Sequence, residues 1–330
     1  MDIVNILTLA IDRLPVGDHS PGLNAILRHV SAAIRHFDRK DEHEADTFTD
    51  AIYRTNQAFE GSLKEAYRVL SSQDPSGKST YEIETYLEEN DLIRPRVLKQ
   101  LTRYRQDYRN PSTHDYNLDF DENEALLAIL SVCAFSKLLV DQISSKLAYD
   151  TATLTPTSAN SINLTSAISN ADELVDHITK IAISVATDIP AENDLSSEDF
   201  DGLLAGTLVS HGMGAKLIFS EHSDTNGYHW DILVNHNGFA VAIETRWGSS
   251  PAYSLGTTLN FLLSGLTNDK GIDRAMLIAR ADAGDDYAAY DVETDDGDKF
   301  RLVSRSTDAR MKRSTAKLRR AKFNRWHSSS

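Results

Sequence analysis

The chain has 330 residues, a single cysteine and a formal net charge of −15. That length accommodates two domains, and Cys133 alone excludes an intramolecular disulfide and a cysteine-built zinc site, which points to a reducing compartment. The charge is unevenly spread: residues 299–326 carry eleven Lys and Arg against Asp308, a net of +10 that leaves −25 for the remainder, so the basic stretch is expected either to meet a polyanion or to fold back on the acidic body.

Residues 1–44 read as two amphipathic helices. Ile3, Ile6, Leu7, Ala10, Ile11 and Leu14 recur at three and four, Pro15 to Gly22 break the pattern, and Leu23, Ile26, Leu27, Val30, Ala33, Ile34 and Phe37 resume it. His29 and His36 on the second helix read as surface residues rather than metal ligands. A longer helix follows from Asp46 to Ser71, then a turn-rich loop through Gly77, a short acidic helix at 81–89, and a helix starting at Pro95 that carries Val97, Leu98, Leu101 and Tyr104 inward. Asp121-Glu122-Asn123-Glu124 has the spacing of a capping box and opens an apolar helix from Ala125 to about Leu147. Its most apolar part, 125–140, includes Lys137 and is short for a membrane span, so a buried helix that also faces a partner subunit is expected. Met1-Asp2-Ile3-Val4 has no basic n-region, so neither a signal peptide nor a membrane association is expected and the cytoplasm is the expected location.

Between those last two helices lies Tyr108-Arg109-Asn110-Pro111-Ser112-Thr113-His114. Proline lacks a backbone donor and disfavours helical angles in the residue before it, so the helix is expected to stop or bend here, leaving Arg109 and His114 facing one open space. A fixed planar cation beside a side chain that exchanges protons near neutrality suits cleavage of RNA: the base takes the 2′-hydroxyl proton and the cation holds the charge developing on phosphorus. The bland alternative is a solvated loop. The segment Arg109-Asn110-Pro111-x-x-His114 resembles the R-x4-6-H signature of the HEPN superfamily over about residues 45–148. The resemblance implies an all-α bundle, dimerisation, and a metal-independent endoribonuclease in which Arg109 and His114 are catalytic and Asn110 orients them; it also admits members that bind RNA without cutting it.

Residues 149–165, rich in Thr, Ser, Pro and Asn, read as a linker. Beyond it the pattern changes to helices at 171–186 and 198–210, strands at 215–219, 230–234 and 239–246, a helix at 254–266 and a strand at 274–279, with Asn237-Gly238 as a hairpin turn. Asp231 and Glu244 are acids within strands that otherwise read as buried, which needs a reason because an unpaired buried charge is costly; two acids on adjacent strands suit a hard-oxygen Mg²⁺ site. Asp231 with Glu244-x-Arg246, and Glu198 as a further contributor, resemble the PD-(D/E)xK motif of restriction-endonuclease-like proteins over about residues 196–290. That resemblance implies metal ligation by Asp231 and Glu244, with the departure that Arg246 stands where the motif has lysine.

The expected architecture is therefore multidomain: an N-terminal all-α helical bundle over 1–148, the linker, an α/β restriction-endonuclease-like domain with a central mixed sheet over 166–300, and a basic tail over 301–330 in which Lys312, Arg313, Lys317, Arg319 and Arg320 contact nucleic acid. The expected function is a HEPN-type endoribonuclease that needs no cofactor, acts on RNA as a homodimer within a bacterial anti-phage or toxin system, and answers to a cognate antitoxin or defence partner. The alternatives are a DNase acting on DNA with Mg²⁺ at the C-terminal domain, and a non-catalytic adaptor that binds nucleic acid or protein.

Overall fold

The computed structural model describes residues 2–39, 46–93, 95–114, 117–154, 168–190, 195–219, 230–247, 271–280, 286–294, 299–305 and 321–325. The chain divides into two compact units, 1–146 and 147–330.

The first unit is helical: α1 (Ile3–Asp12), α2 (Ser20–Asp38), α3 (Thr47–Ser71), α4 (Thr80–Glu89), α5 (Pro95–Tyr104), a π-helical turn (Arg105–Arg109), α6 (Asn110–His114) and most of α7 (Glu122–Leu154). Pro21 does not end a helix as expected from its turn-like setting. It lies in the first turn of α2, where its missing N–H and fixed φ do no harm. Gly22 beside it allows close approach of α3, since an added Cβ would lie 2.1 Å from Glu65 Oε1. The Asp121 capping box forms as expected, Glu124 N–H donating to Asp121 Oδ1 and Asp121 N–H donating to Glu124 Oε2, both at 2.9 Å. A second box, Ser79 with Glu82, starts α4.

The expected break at Pro111 is corrected by the structure. Asn110 keeps right-handed helical angles (φ −69°, ψ −48°) and its N–H donates to Arg105 O, five residues back. The helix widens to a π-turn ahead of the proline instead of ending, one of the few ways a helix accommodates a residue that lacks a donor and crowds the preceding turn. Arg109 O is then satisfied by the hydroxyls of Ser112 at 3.0 Å and Thr113 at 2.9 Å.

The helix α7 is longer than expected and runs through Leu154, so 149–154 are helical rather than linker; 155–167 lie outside the described residues. At 33 residues it is long and apolar enough to cross a membrane, contrary to the sequence expectation, and half of its apolar window is buried inside the protein, as in a core helix.

The second unit holds the end of α7, α8 (Ala171–Asp188), α9 (Ser197–Ser210) and strands β1 (Gly214–Leu217), β2 (Ile232–His236), β3 (Phe239–Arg246), β4 (Arg274–Ala279), β5 (Ala288–Thr294), β6 (Lys299–Ser304) and β7 (Ala321–Arg325). They form one mixed sheet in the order β1-β2-β3-β4-β6-β5-β7. Neighbours β1/β2, β2/β3, β6/β5 and β5/β7 are antiparallel; β3/β4 and β4/β6 are parallel. Asn237 and Gly238 both take positive φ, 52° and 85°, the backbone of a tight I′ hairpin. One face of the sheet, with Ile232, Val234, Val241, Ile243, Met276, Ile278 and Val303, packs under α8 and α9; Ala242, Ala275, Leu277, Tyr290, Val292, Phe300 and Leu302 form a cluster on the other. The helix expected at 254–266 lies outside the described residues.

The basic tail expected from 301 onward is also corrected. Residues 299–304 are β6, interior to the sheet, and Arg301 is buried, its Nη1 donating to Asp176 Oδ1 and its Nε to Asp291 Oδ1, each at 2.7 Å. Paired burial of this kind is how an arginine enters a core. Lys312, Arg313, Lys317, Arg319 and Arg320 lie outside the described residues.

Candidate functional site

In the helical unit the motif is set on α3 by a polar network beneath it. The Tyr104 hydroxyl, buried, donates to Asn56 Oδ1 at 2.9 Å and lies 2.8 Å from Thr55 Oγ1. Asn56 Nδ2 donates to Ser112 Oγ at 2.7 Å, and Tyr53 Oη donates to Ser112 O at 2.8 Å. Burial raises the Tyr104 phenol far above its ordinary range, so it stays a neutral donor. Polar side chains in a core have to be satisfied, and here satisfying them fixes the position of α6 on α3.

Arg109 Nε donates to Glu60 Oε1 at 2.9 Å and its Nη1 to Asn110 Oδ1 at 3.2 Å. Both members of that ion pair are a little over a quarter exposed, and such pairs contribute about 0–1 kcal/mol. Glu60 therefore holds the guanidinium at the surface without binding it tightly. His114, the last residue of α6, is exposed, and among the described residues its ring has no hydrogen-bond partner. Five positions along a helix is a rotation of about 500°, which leaves the two directions roughly 140° apart. Arg109 thus meets Asn110 and Glu60, and His114 meets neither. Glu60 carries no sequence signal, since it belongs to another helix 49 residues earlier.

In the α/β unit, Asp231 lies directly before β2, and extending the register Ile232↔Ile243 puts it opposite Glu244. Asp231 N–H donates to Ile243 O at 3.0 Å, and its Oδ2 accepts Thr245 N–H at 2.8 Å. Glu244 is 3% exposed and forms an ion pair with Arg246, whose Nη1 also donates to Thr245 O at 2.8 Å. Sequence reasoning missed Asp201, on α9. Its carboxylate accepts the Thr245 hydroxyl, and it is pushed well above the usual carboxylate range, first by burial and then by the charge of Asp231, with Glu198 and Glu244 adding to the effect and the Thr245 bond opposing it. Four acids thus share one field, and Arg246 occupies Glu244. Among the described residues no group of three or more acids, histidines or cysteines is arranged to hold a metal ion.

The perturbed carboxyl gives a stability prediction. A folded pKa raised above the unfolded one means that the native state binds the extra proton, so stability falls as pH rises from about 4 through the folded value. Asp201→Asn keeps an oxygen for the Thr245 hydroxyl and removes the charge. It is expected to melt higher than wild type at alkaline pH, with the gap closing near pH 4. A variant that melts lower across the whole range would mean that an ionised Asp201 stabilises the fold.

Comparison of the chain with protein-family models, curated proteins and solved structures returned no match.

Proposed function

We propose that the chain is a metal-independent endoribonuclease, with His114 as general base and Arg109 as the stabiliser of the phosphorane-like transition state. The observation that carries this reading is a surface arginine and an exposed histidine on one short helical segment, set on a π-turn and anchored by a buried polar network. π-turns inside helices occur frequently at functional sites. The base removes the proton from a ribose 2′-hydroxyl, the oxygen attacks the adjacent phosphorus, and the 5′-oxygen leaves with a proton, giving a 2′,3′-cyclic phosphate and a 5′-hydroxyl. Because Arg109 and His114 diverge within one chain, two copies of the motif across a homodimer are the arrangement that completes the site.

The exposed leucines of α7 support a homodimer. Leu126, Leu127, Leu130 and Leu138 are each 41–55% exposed and lie at spacings of one helix stripe. The double substitution Leu127→Glu/Leu130→Glu is expected to raise the dimer dissociation constant by about 30-fold or more, read by light scattering after gel filtration. Wild type that elutes as a monomer at all concentrations would remove the dimer.

Labelled RNA and DNA offered to the purified chain, with Mg²⁺ and with EDTA, test the reading. Cutting of RNA in EDTA supports it, and no cutting of RNA in either condition ends it. The runner-up is a Mg²⁺-dependent DNase in the α/β unit. The order α9-β1-β2-β3-β4 and the acids gathered around Asp201 favour it; the ion pair of Arg246 with Glu244 tells against it. DNA cut only with Mg²⁺, and lost in Glu244→Ala, would move the chemistry there. Otherwise the α/β unit is a sensing or nucleic-acid-binding module, and the whole belongs to a bacterial anti-phage or toxin system in the cytoplasm.

A further inference from the structure

A cleft of about 340 Å³ lies between α2 and α3, lined by His29, His36, Asp50, Tyr53, Arg54 and Gln57. On α3 these residues continue the row that ends at the motif. Asp50, Tyr53, Arg54 and Gln57 recur at three and four, and Glu60, the partner of Arg109, is the next position along that face. Gln57 is thus about one helical turn before Glu60, whose carboxylate holds Arg109. The Tyr53 hydroxyl spans the remaining gap, donating to Ser112 O within α6.

From this placement we propose that the cleft is the subsite for the nucleotide beside the scissile phosphate of a single-stranded RNA: Tyr53 stacks the base, Gln57 and Asp50 meet its edge, and Arg54 with His36 holds the neighbouring phosphate. The proposal rests on the ribonuclease reading of Arg109 and His114 and supplies the substrate contact that those two residues lack. Tyr53 is 46% exposed while its hydroxyl is fixed, so its ring is an oriented platform of the kind that takes any base. Gln57 offers an amide with both donor and acceptor, and Arg54 a planar fork for phosphate oxygens. Asp50 Oδ2 stands 3.8 Å from His36 Nδ1, which directs that carboxylate toward the imidazole. Burial, then Arg54 and Arg28, hold His29 below its ordinary pKa, and Arg54 is a permanently charged group in the lining. The volume suits one nucleotide, and every lining residue carries a polar group beside the Tyr53 ring.

The test uses the full chain and a short fluorescein-labelled 2′-O-methyl oligoribonucleotide, which stacks and carries phosphates but has no 2′-hydroxyl to react. Arg54→Ala and Tyr53→Ala are each expected to weaken its binding by about tenfold, while Tyr53→Phe, which keeps the ring, stays near wild type. Thermal melting confirms that each variant is folded, and Gln57→Ala, an exposed position, serves in place of any that is not. Binding by both alanine variants equal to wild type, or no binding by wild type, overturns the proposal. Cleavage of unmodified RNA measured alongside separates it from the reading it rests on. A wild type that binds through Arg54 but cuts nothing removes the ribonuclease and keeps the cleft. A wild type that cuts, with KM unmoved by Arg54→Ala, removes the cleft alone.

Discussion

His114→Ala is expected to abolish RNA cleavage in EDTA while leaving the melting temperature within a degree or two of wild type. The size of the first effect follows from what the residue is asked to do: a positioned general base contributes about 10²–10⁴-fold, and the exposed ring of His114 has no hydrogen-bond partner among the described residues. The absence of a stability effect follows from the same exposure, because substitutions away from buried networks are usually worth less than about 0.5 kcal/mol. Arg109→Ala is the companion. It removes the cation and also leaves Glu60 facing the approaching phosphate, so its loss of cleavage should equal or exceed that of His114→Ala. Arg109→Lys keeps the charge but not the fork and is expected to recover only part of the rate. Mixed dimers sharpen the test. If the site joins the motifs of two chains, one His114→Ala chain and one Arg109→Ala chain leave one complete pair, and cleavage returns. A His114→Ala protein that cuts RNA at the wild-type rate would end this assignment.

The elements were largely readable where a single periodicity governs them. The stripe of α2 repeats at three and four, and its buried residues Leu23, Ile26, Val30 and Ala33 are all ones the pattern names. Asn237-Gly238 located the hairpin because few residue pairs accept positive φ twice. Reading failed where distant residues decide. Arg301 reads as the start of the basic tail because an arginine is assigned to solvent by pattern alone. Asp176 lies 125 residues away, and with Asp291 it makes that burial possible. Asp201 sits in the apolar helix α9, and nothing local marks it; its significance comes from Asp231, across the fold. At Pro111 the local rule was sound but incomplete, since a helix can widen as well as stop. The same limit applies to function: Arg109 and His114 were nameable from their spacing and the HEPN resemblance, whereas Glu60, Asn56 and Tyr53 became visible only through the packing of α3.

The largest expected stability effect lies one turn before the motif. Arg105 opens the π-turn and its Nε donates to both oxygens of Glu84, at 3.0 and 3.1 Å. The side chains are 14% and 5% exposed, and the Thr102 hydroxyl adds a long contact to that carboxylate at 3.3 Å. Arg105→Ala strands a buried carboxylate and is expected to cost about 3–5 kcal/mol, the range for removing one member of a buried pair. Since domains of this size lose a few degrees of melting temperature per kcal/mol, the change should be plain in a thermal melt. Two arguments compete over its cause. If the cost is the desolvated charge, replacing both partners with apolar residues, Glu84→Leu/Arg105→Met, removes the charge and fills the space, and the double variant should be more stable than Arg105→Ala. If instead Arg105 matters because it opens the π-turn, the double variant stays as unstable as the single one, and RNA cleavage falls in both. The stacking of the guanidinium over the exposed ring of Tyr81, 5.5 Å from its centre, is lost in either case and at such a site contributes about 0.5–1 kcal/mol. It therefore cannot account for the difference between the two outcomes. Recovery of stability with loss of cleavage in the double variant would assign Arg105 both roles: neutralising Glu84 in the fold and, through the turn it begins, placing Arg109.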